Sequence, residues 1–166
     1  LDVTRYADAW KDGSLLWNFI DSHDTARYFT QCRQDYEAFL LGFALHMLMP
    51  GIPVVFSGTE LAVAGENDPG CQTEQTTLEI TKAWIQLRQI PALTHGNLEV
   101  VELKNHAMIF QRKFGESKIE ILVNTGYQDE LLLNSISGEW KDLRHQSVSI
   151  SENILPKRTL FYRLSH

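Results

Sequence analysis

The chain changes character within one short stretch, LLWNFIDSHDTAR (residues 15–27). Its apolar part, Leu15–Ile20, predicts a buried strand, and this strand stops abruptly at a cluster of ionisable side chains. Working residues in parallel α/β architectures lie at the carboxyl ends of strands. We therefore interpret His23 and Asp24 as candidate site residues, although a lone pair of this kind is more often structural.

Composition narrows the class of protein. The 166 residues suit one domain or two small ones, and the net charge of −6 argues against a nucleic-acid partner, which needs clustered Lys and Arg. Cys32 and Cys71 lack metal-ligand spacing and are predicted to be free thiols of a reducing compartment. No signal peptide is expected, and Pro50-Gly51 divides the apolar segment 39–56 into a helix and a strand. The sequence thus predicts a cytoplasmic protein with no membrane partner, metal or cofactor.

The first half alternates strand and helix, which is the order typical of a parallel α/β sheet. The predicted elements are a strand at Leu15–Ile20, a helix at Asp35–Met49, a strand at Pro53–Ser57 and a helix at Leu78–Gln89. Glu60 follows the second strand, and Asp68 and Gln72 lie in the long loop after it. We expect these side chains to face the same edge of the sheet as Asp24.

The second half has the period of short strands separated by turns. Candidate strands are Leu98–Leu103, Ala107–Phe114, Ile119–Val123, Glu130–Leu133, Ser147–Ile150 and Thr159–Leu164. Strands at this spacing predict an antiparallel β-sandwich. The fold class is therefore α/β plus all-β, with one domain at 1–92 and a second at 93–166.

Two ordered motifs and a loop resemble one enzyme family. The segment FIDSHDTAR (19–27) is similar to the motif after the seventh barrel strand of α-amylase-family glycoside hydrolases, and PGIPVVFSGTE (50–60) to the eighth-strand motif. GENDPGC (65–71) resembles the loop that follows, in the form of the neopullulanase, cyclomaltodextrinase and maltogenic amylase subgroup. The resemblance implies the last two units of a (β/α)8 barrel followed by a C-terminal β-sandwich. It also implies an α-glucan or maltooligosaccharide substrate.

The resemblance implies a role for each matching residue. Asp24 matches the carboxylate that stabilises the oxocarbenium-like transition state, which suits hydrogen bonds to ring hydroxyls that strengthen as positive charge develops. His23 matches the neighbour that holds the same sugar, and Asp68 matches a contact to the next sugar. Arg27 and Glu60 match supporting positions that would orient loops through ion pairs.

Departures from the family pattern limit what this chain can do alone. Retaining glycosidases need a nucleophile and an acid/base, which the family takes from earlier barrel strands. Residues 1–14 contain no such motif, so both groups are expected to be missing. Gln72 stands where the subgroup has Arg, and Ser57 and Thr59 replace the usual Tyr and Asp of the eighth-strand motif. The chain by itself is therefore predicted to be inactive.

Other interpretations remain open. The chain could be a non-catalytic sugar-binding or assembly module derived from an amylase, or part of a transglycosylase with the same motifs. His46 in an apolar helix is more often a core residue than a ligand, and Trp10, Trp17, Trp84 and Trp140 are more often buried than sugar-stacking. The two barrel strands would lack neighbours, which predicts self-association or association with the missing barrel part.

Overall fold

A computed structural model describes residues 16–65 and 75–165 of the chain. Four α-helices occur in these ranges: α1 (Tyr28–Gln31), α2 (Tyr36–Leu48), α3 (Gln75–Leu87) and α4 (Pro91–Thr94). The strands are β1 (Trp17–Phe19), β2 (Ile52–Val54), β3 (Asn97–Lys104), β4 (Ala107–Phe114), β5 (Ser117–Asn124), β6 (Glu130–Leu131), β7 (Gly138–Lys141), β8 (Ser147–Ile150), β9 (Ile154–Leu155) and β10 (Thr159–Ser165).

The first half contains a parallel pair of strands joined through helices. Strands β1 and β2 run in the same direction, and Trp17 pairs with Ile52 in their register. Helices α1 and α2 lie between them in the chain, as the strand–helix–strand pattern predicts. Both strands are confirmed but are shorter than predicted. The prediction that the first strand is buried is wrong, because no residue of β1 is buried. The side chains of Trp17 and Phe19 are more than half exposed, so this pair leaves apolar surface uncovered.

Helix α2 confirms the predicted helix at Asp35–Met49 almost residue for residue. It begins where the Asp35 carboxylate accepts a hydrogen bond from the amide of Ala38 (3.1 Å), and it ends before Pro50. The helix is apolar on nearly all sides, which is typical of a buried helix. Its buried side chains are Phe39, Leu40, Leu41, Phe43, Ala44, His46, Met47 and Leu48.

The second half forms a six-stranded antiparallel sheet in the order β3-β4-β5-β10-β7-β8. A separate two-stranded ladder joins β6 to β9. The register of β3 against β4 shifts between Val100 and Glu102, and this bulge lets the buried Glu102 carboxylate accept the amides of Leu133 (2.8 Å) and Asn134 (2.9 Å). Strands β7 and β9 were not among the predicted strands; β7 begins at Gly138, a residue typical of turns.

The two halves share one apolar core. Phe39, Phe43 and Trp84 from the helices belong to the same buried cluster as Phe110 and Leu160 from the sheet. The predicted boundary between residues 92 and 93 falls inside α4. The division into two domains therefore stays a prediction.

Two arginines bind the carboxyl end of α2, and neither has a carboxylate partner among the described residues. The buried guanidinium of Arg112 donates to the carbonyls of Leu48 (3.1 Å), Met49 (3.3 Å) and Gly96 (2.7 Å). Arg88 of the segment after α3 also donates to the Met49 carbonyl (3.1 Å). Burial, with the like charge of Arg88, lowers the pKa of Arg112 to about 10, so it stays charged at neutral pH. Cations suit this position because the carboxyl end of a helix carries partial negative charge.

No helix in the described ranges is long and apolar enough to cross a membrane.

Candidate functional site

The His23–Asp24 pair lies on a tight turn directly after β1. The backbone amide of Thr25 donates to the Ser22 carbonyl (3.3 Å), the Ser22 amide donates to Thr25 Oγ1 (2.9 Å), and the Asp24 amide donates to Ser22 Oγ (3.2 Å). His23 Nε2 is 3.3 Å from Asp24 Oδ2, and about four-fifths of each side chain is exposed. The turn thus presents a carboxylate and an imidazole side by side, where hydroxyl groups of a ligand could reach both.

The buried carboxylate of Asp21 stabilises this turn. The side chain of Asp21 is 3% exposed, and its Oδ2 accepts a hydrogen bond from the Tyr28 amide (2.9 Å). Its Oδ1 accepts the hydroxyl of Thr59 (2.6 Å), and Arg27 Nε lies 3.6 Å from Oδ2. These contacts hold both ends of the loop at 21–28, and this loop carries the exposed His23–Asp24 pair. Because a buried charge is costly unless it is paired, the network fixes the loop in one arrangement.

Arg27 connects the loop after β1 to the loop after β2. Its Nη2 donates to the Ser57 carbonyl (2.8 Å), its guanidinium lies 4.8 Å from the centre of the Phe56 ring, and its amide donates to the Gly65 carbonyl (3.1 Å). Gly58 has φ of 94°, and a Cβ there would lie 2.7 Å from Arg27 Nη2. A larger residue would therefore push the guanidinium away.

Glu60 supports the same loop by a hydrogen bond to the backbone. Its Oε2 accepts the amide of Gly58 (2.9 Å), and its carbonyl accepts the hydroxyl of Thr81 from α3 (2.8 Å). The resemblance implied an ion pair at this position. Among the described residues, the partners of Glu60 are instead an amide and a hydroxyl.

Three residues considered from the sequence are Asp68, Gln72 and Cys71. They lie outside the described residues, so the predictions made for them stay predictions.

The described ranges contain no group of three or more His, Cys, Asp or Glu side chains arranged to hold a metal ion. His46 is confirmed as a core residue that contacts the Val54 carbonyl (3.2 Å), and burial lowers its pKa.

Sequence reasoning missed Asp21 and the contact that Thr59 makes. Asp21 was grouped with the polar loop, and Thr59 was noted only as a departure from the family pattern. The usable signal was position: Asp21 is the first ionisable residue after the first predicted strand, and Thr59 follows the glycine after the second predicted strand. Side chains at those two points of a parallel pair come close together in space.

Comparison with known proteins identifies the family of this chain. No family model matches the chain. It is 33% identical to an intracellular maltogenic amylase of Bacillus subtilis (strain 168) over 125 residues, which is 68% of this chain and 21% of that enzyme. The chain belongs to the α-amylase family. Neopullulanase 2 of Thermoactinomyces vulgaris is 30% identical to this family member over 130 residues, covering 71% of the chain and 22% of the relative.

Solved structures give the same fold for this α-amylase-family chain. An α-amylase from Anoxybacillus superposes with a TM-score of 0.77 at 23% identity, over 98% of this chain and 40% of that one. An α-amylase from Geobacillus thermoleovorans, solved with acarbose, superposes with a TM-score of 0.75 at 22% identity, over 99% of this chain and 42% of that one. The chain spans about a fifth of the length of the curated relatives it matches.

Proposed function

We propose that the chain is the C-terminal part of a retaining α-glucan glycoside hydrolase, in which Asp24 stabilises the transition state. The single observation that carries this proposal is the presentation of His23 and Asp24 on a fixed turn at the carboxyl end of a parallel strand. The relatives named maltogenic amylase and neopullulanase support the substrate class. Asp24 would accept hydrogen bonds from ring hydroxyls as positive charge develops on the sugar, and His23 would hold the same sugar.

The proposal assigns the two halves to two parts of such an enzyme. Strands β1 and β2 with their helices would be the last two units of a (β/α)8 barrel, and residues 93–166 would be the C-terminal β-sandwich. The parallel pairing of β1 with β2 supports the first assignment, and the antiparallel sheet with its additional β6–β9 ladder supports the second. Asp68 and Gln72 would contribute contacts to the next sugar, and Arg27 would keep the two loops together.

Catalysis by this proposal needs the earlier part of the barrel. A retaining mechanism places a nucleophile and an acid/base roughly 5–5.5 Å apart on either side of the scissile bond. In the described part of the chain the side chain next to Asp24 is the His23 imidazole, and the carboxylate of Asp21 is taken up by a buried pair with Arg27. The exposed Trp17 and Phe19 of β1 would be covered by the remaining barrel strands or by a second copy. We also propose a cytoplasmic location, which the relative named as intracellular supports.

A simple assay tests the first consequence. The 166-residue chain should release no reducing sugar from maltooligosaccharides and no nitrophenol from a nitrophenyl maltoside. Turnover above the buffer blank would contradict the need for carboxylates from outside the chain. Titration calorimetry with maltose on the same preparation addresses the second candidate, a non-catalytic sugar-binding module, which the exposed His23–Asp24 pair also favours. Binding without turnover in every form of the protein would support that module.

A chimera tests the role of Asp24 directly. The matching segment of the Bacillus subtilis maltogenic amylase would be replaced by this chain, so that the relative supplies the rest of the barrel. We expect the chimera to hydrolyse maltooligosaccharides, and Asp24→Asn to lower its kcat by orders of magnitude with an unchanged melting temperature. Glu37→Gln, an exposed carboxylate on α2, is the matched control and should leave kcat unchanged. An Asp24→Asn chimera with nearly full activity would remove Asp24 from the mechanism.

A further inference from the structure

Tyr127 is the most exposed aromatic side chain among the described residues. It is 81% exposed and stands in the loop at 125–129 between β5 and β6, on the antiparallel sheet. A single exposed aromatic residue is ordinary on a protein surface, so a binding role for Tyr127 depends on the groups that surround its ring. The His23–Asp24 turn does not use this residue, and the family motifs at 19–27 and 50–71 lie elsewhere in the sequence.

A fully buried amide holds the loop that carries Tyr127. Asn124 is 0% exposed, and its Oδ1 accepts the amide of Gly126 (2.9 Å). Its Nδ2 donates to the carbonyls of Gln128 (2.8 Å) and Leu155 (3.2 Å). The backbone that carries the Tyr127 ring is therefore ordered before a ligand binds. Such preorganisation reduces the entropy lost on binding.

A concave surface adjoins the ring. A cavity of about 310 Å³ is lined by Tyr127, Gly126, Gln128, Glu130 and His106, the last from the β3–β4 turn. Gly126 is needed at its floor because a Cβ there would lie 2.9 Å from His106 Cβ. The lining combines one aromatic face with a carboxamide, a carboxylate and an imidazole. This combination suits a ring that has an apolar face and hydroxyl groups around its edge.

The charges around the cavity favour a neutral ligand. The guanidinium of Arg158 lies 5.8 Å from the centre of the Tyr127 ring. Arg158 already donates to the Asp35 carboxylate (2.5 Å), so its charge is neutralised by a partner of its own. Glu130 adds negative charge to the rim and would repel an anion. A phosphate or an acidic peptide is therefore a poor fit, and an uncharged sugar is a good one.

We propose that this cavity is a second carbohydrate site, in which a hexose ring of an α-glucan stacks on Tyr127. Its hydroxyl groups hydrogen-bond to Gln128, Glu130 and His106. The site would hold a glucan chain on the antiparallel sheet, on elements separate from those that carry Asp24. The choice of an α-glucan rests on the proposed function, whereas the geometry of the cavity does not.

Amide chemical-shift mapping tests this site on the 166-residue chain. Titrating the ¹⁵N-labelled protein with maltoheptaose should move the amides of residues 106 and 126–130. Because Tyr127 is exposed, Tyr127→Ala should leave the dispersed spectrum of the folded chain intact while weakening binding about tenfold or more. Tyr127→Phe keeps the stacking face and should bind nearly as the native chain does. Phe114→Ala, which removes a half-exposed aromatic ring at the end of β4, is the matched control and should have no effect.

Two further results separate this site from the proposed active site. Asp24→Asn should leave the shifts at 126–130 unchanged. Shifts confined to residues 22–25 that Asp24→Asn abolishes would overturn the second site and leave the proposed function standing. Equal binding by Tyr127→Ala, or no shift at 126–130 with maltoheptaose, would also overturn it. A chimera without hydrolytic activity, combined with Tyr127-dependent binding, would instead count against the proposed function alone.

Discussion

Replacing Thr59 by Val removes one hydroxyl from the network beneath the His23–Asp24 turn and nearly conserves volume. Thr59 is 2% exposed, and its Oγ1 donates to Asp21 Oδ1 at 2.6 Å. A hydrogen bond to a charged group contributes about 1.5–3 kcal/mol, and no cavity is created to add to this. We therefore expect Thr59→Val to lower the free energy of unfolding by about 2 kcal/mol.

Thermal and urea unfolding of the 166-residue chain measure this loss. In a chain of this size, a loss of about 2 kcal/mol corresponds to a fall in Tm of roughly 4–8 °C. Asp21→Asn should cost more, about 3 kcal/mol, because it leaves the buried guanidinium of Arg27 without a counter-charge. In the Asp21→Asn background, Thr59→Val should cost less than about 1 kcal/mol, since the charged acceptor is already gone.

Thr94→Val is the matched control for this prediction. Thr94 is exposed, and its hydroxyl bonds to the neutral carbonyl of Ile90 (3.2 Å) within the short helix α4. We expect this substitution to change the free energy of unfolding by no more than about 0.5 kcal/mol. If Thr59→Val and Thr94→Val lower Tm equally, the buried carboxylate does not hold the loop as argued.

Three other substitutions, with Gly115→Ala as the control for the third, test the core and the junction between the halves. Arg112→Met should cost about 3 kcal/mol in urea unfolding, because three carbonyls lose their charged donor; a loss below about 1 kcal/mol would mean that water replaces the guanidinium. Burial is the main cause that lowers the pKa of His46. The contribution of the neutral imidazole to stability is therefore complete above the unfolded-state pKa of about 6.5. That contribution is lost as pH falls through the folded-state pKa. His46→Gln should therefore flatten the fall in Tm between about pH 7 and pH 5, and an unchanged slope would contradict this. Gly96→Ala would bring a Cβ within 2.2 Å of the Ala92 carbonyl oxygen, so it should lower the free energy of unfolding by about 3 kcal/mol. Gly115 has open space around it at φ +56°, so Gly115→Ala should cost about 1 kcal/mol from backbone strain alone.

Patterns in the sequence predicted the elements that local chemistry defines. Helix α2 was predictable because a capping Asp35 precedes a continuous apolar run and Pro50 ends it. The long strands β4 and β5 were predictable from alternation and from the turn at Gly115. The candidate pair was predictable because an apolar strand stops at His23 and Asp24.

Contacts between distant residues were not predictable in the same way. Nothing in the local sequence marks Arg112 as buried, but it is 2% exposed and donates to the Leu48 carbonyl at the end of α2. The position of Thr59 after the second strand was the one usable sign that its hydroxyl would meet Asp21, 38 residues earlier. Such pairings depend on the path of the whole chain, and local propensity carries no information about them. The short strands β7 and β9 escaped prediction because their pairing, rather than their composition, creates them.

The long reach of Arg112 has a consequence for the order of events during synthesis. The Leu48 carbonyl that it binds is 64 residues closer to the amino terminus. At about 5–20 residues per second, a ribosome adds Arg112 roughly 3–13 s after Leu48. During that interval the end of α2 lacks its buried cation, and the apolar side chains of α2 lack Phe110 and Leu160, the sheet residues of their common core. The nascent chain must keep this apolar segment from aggregating until the antiparallel strands emerge.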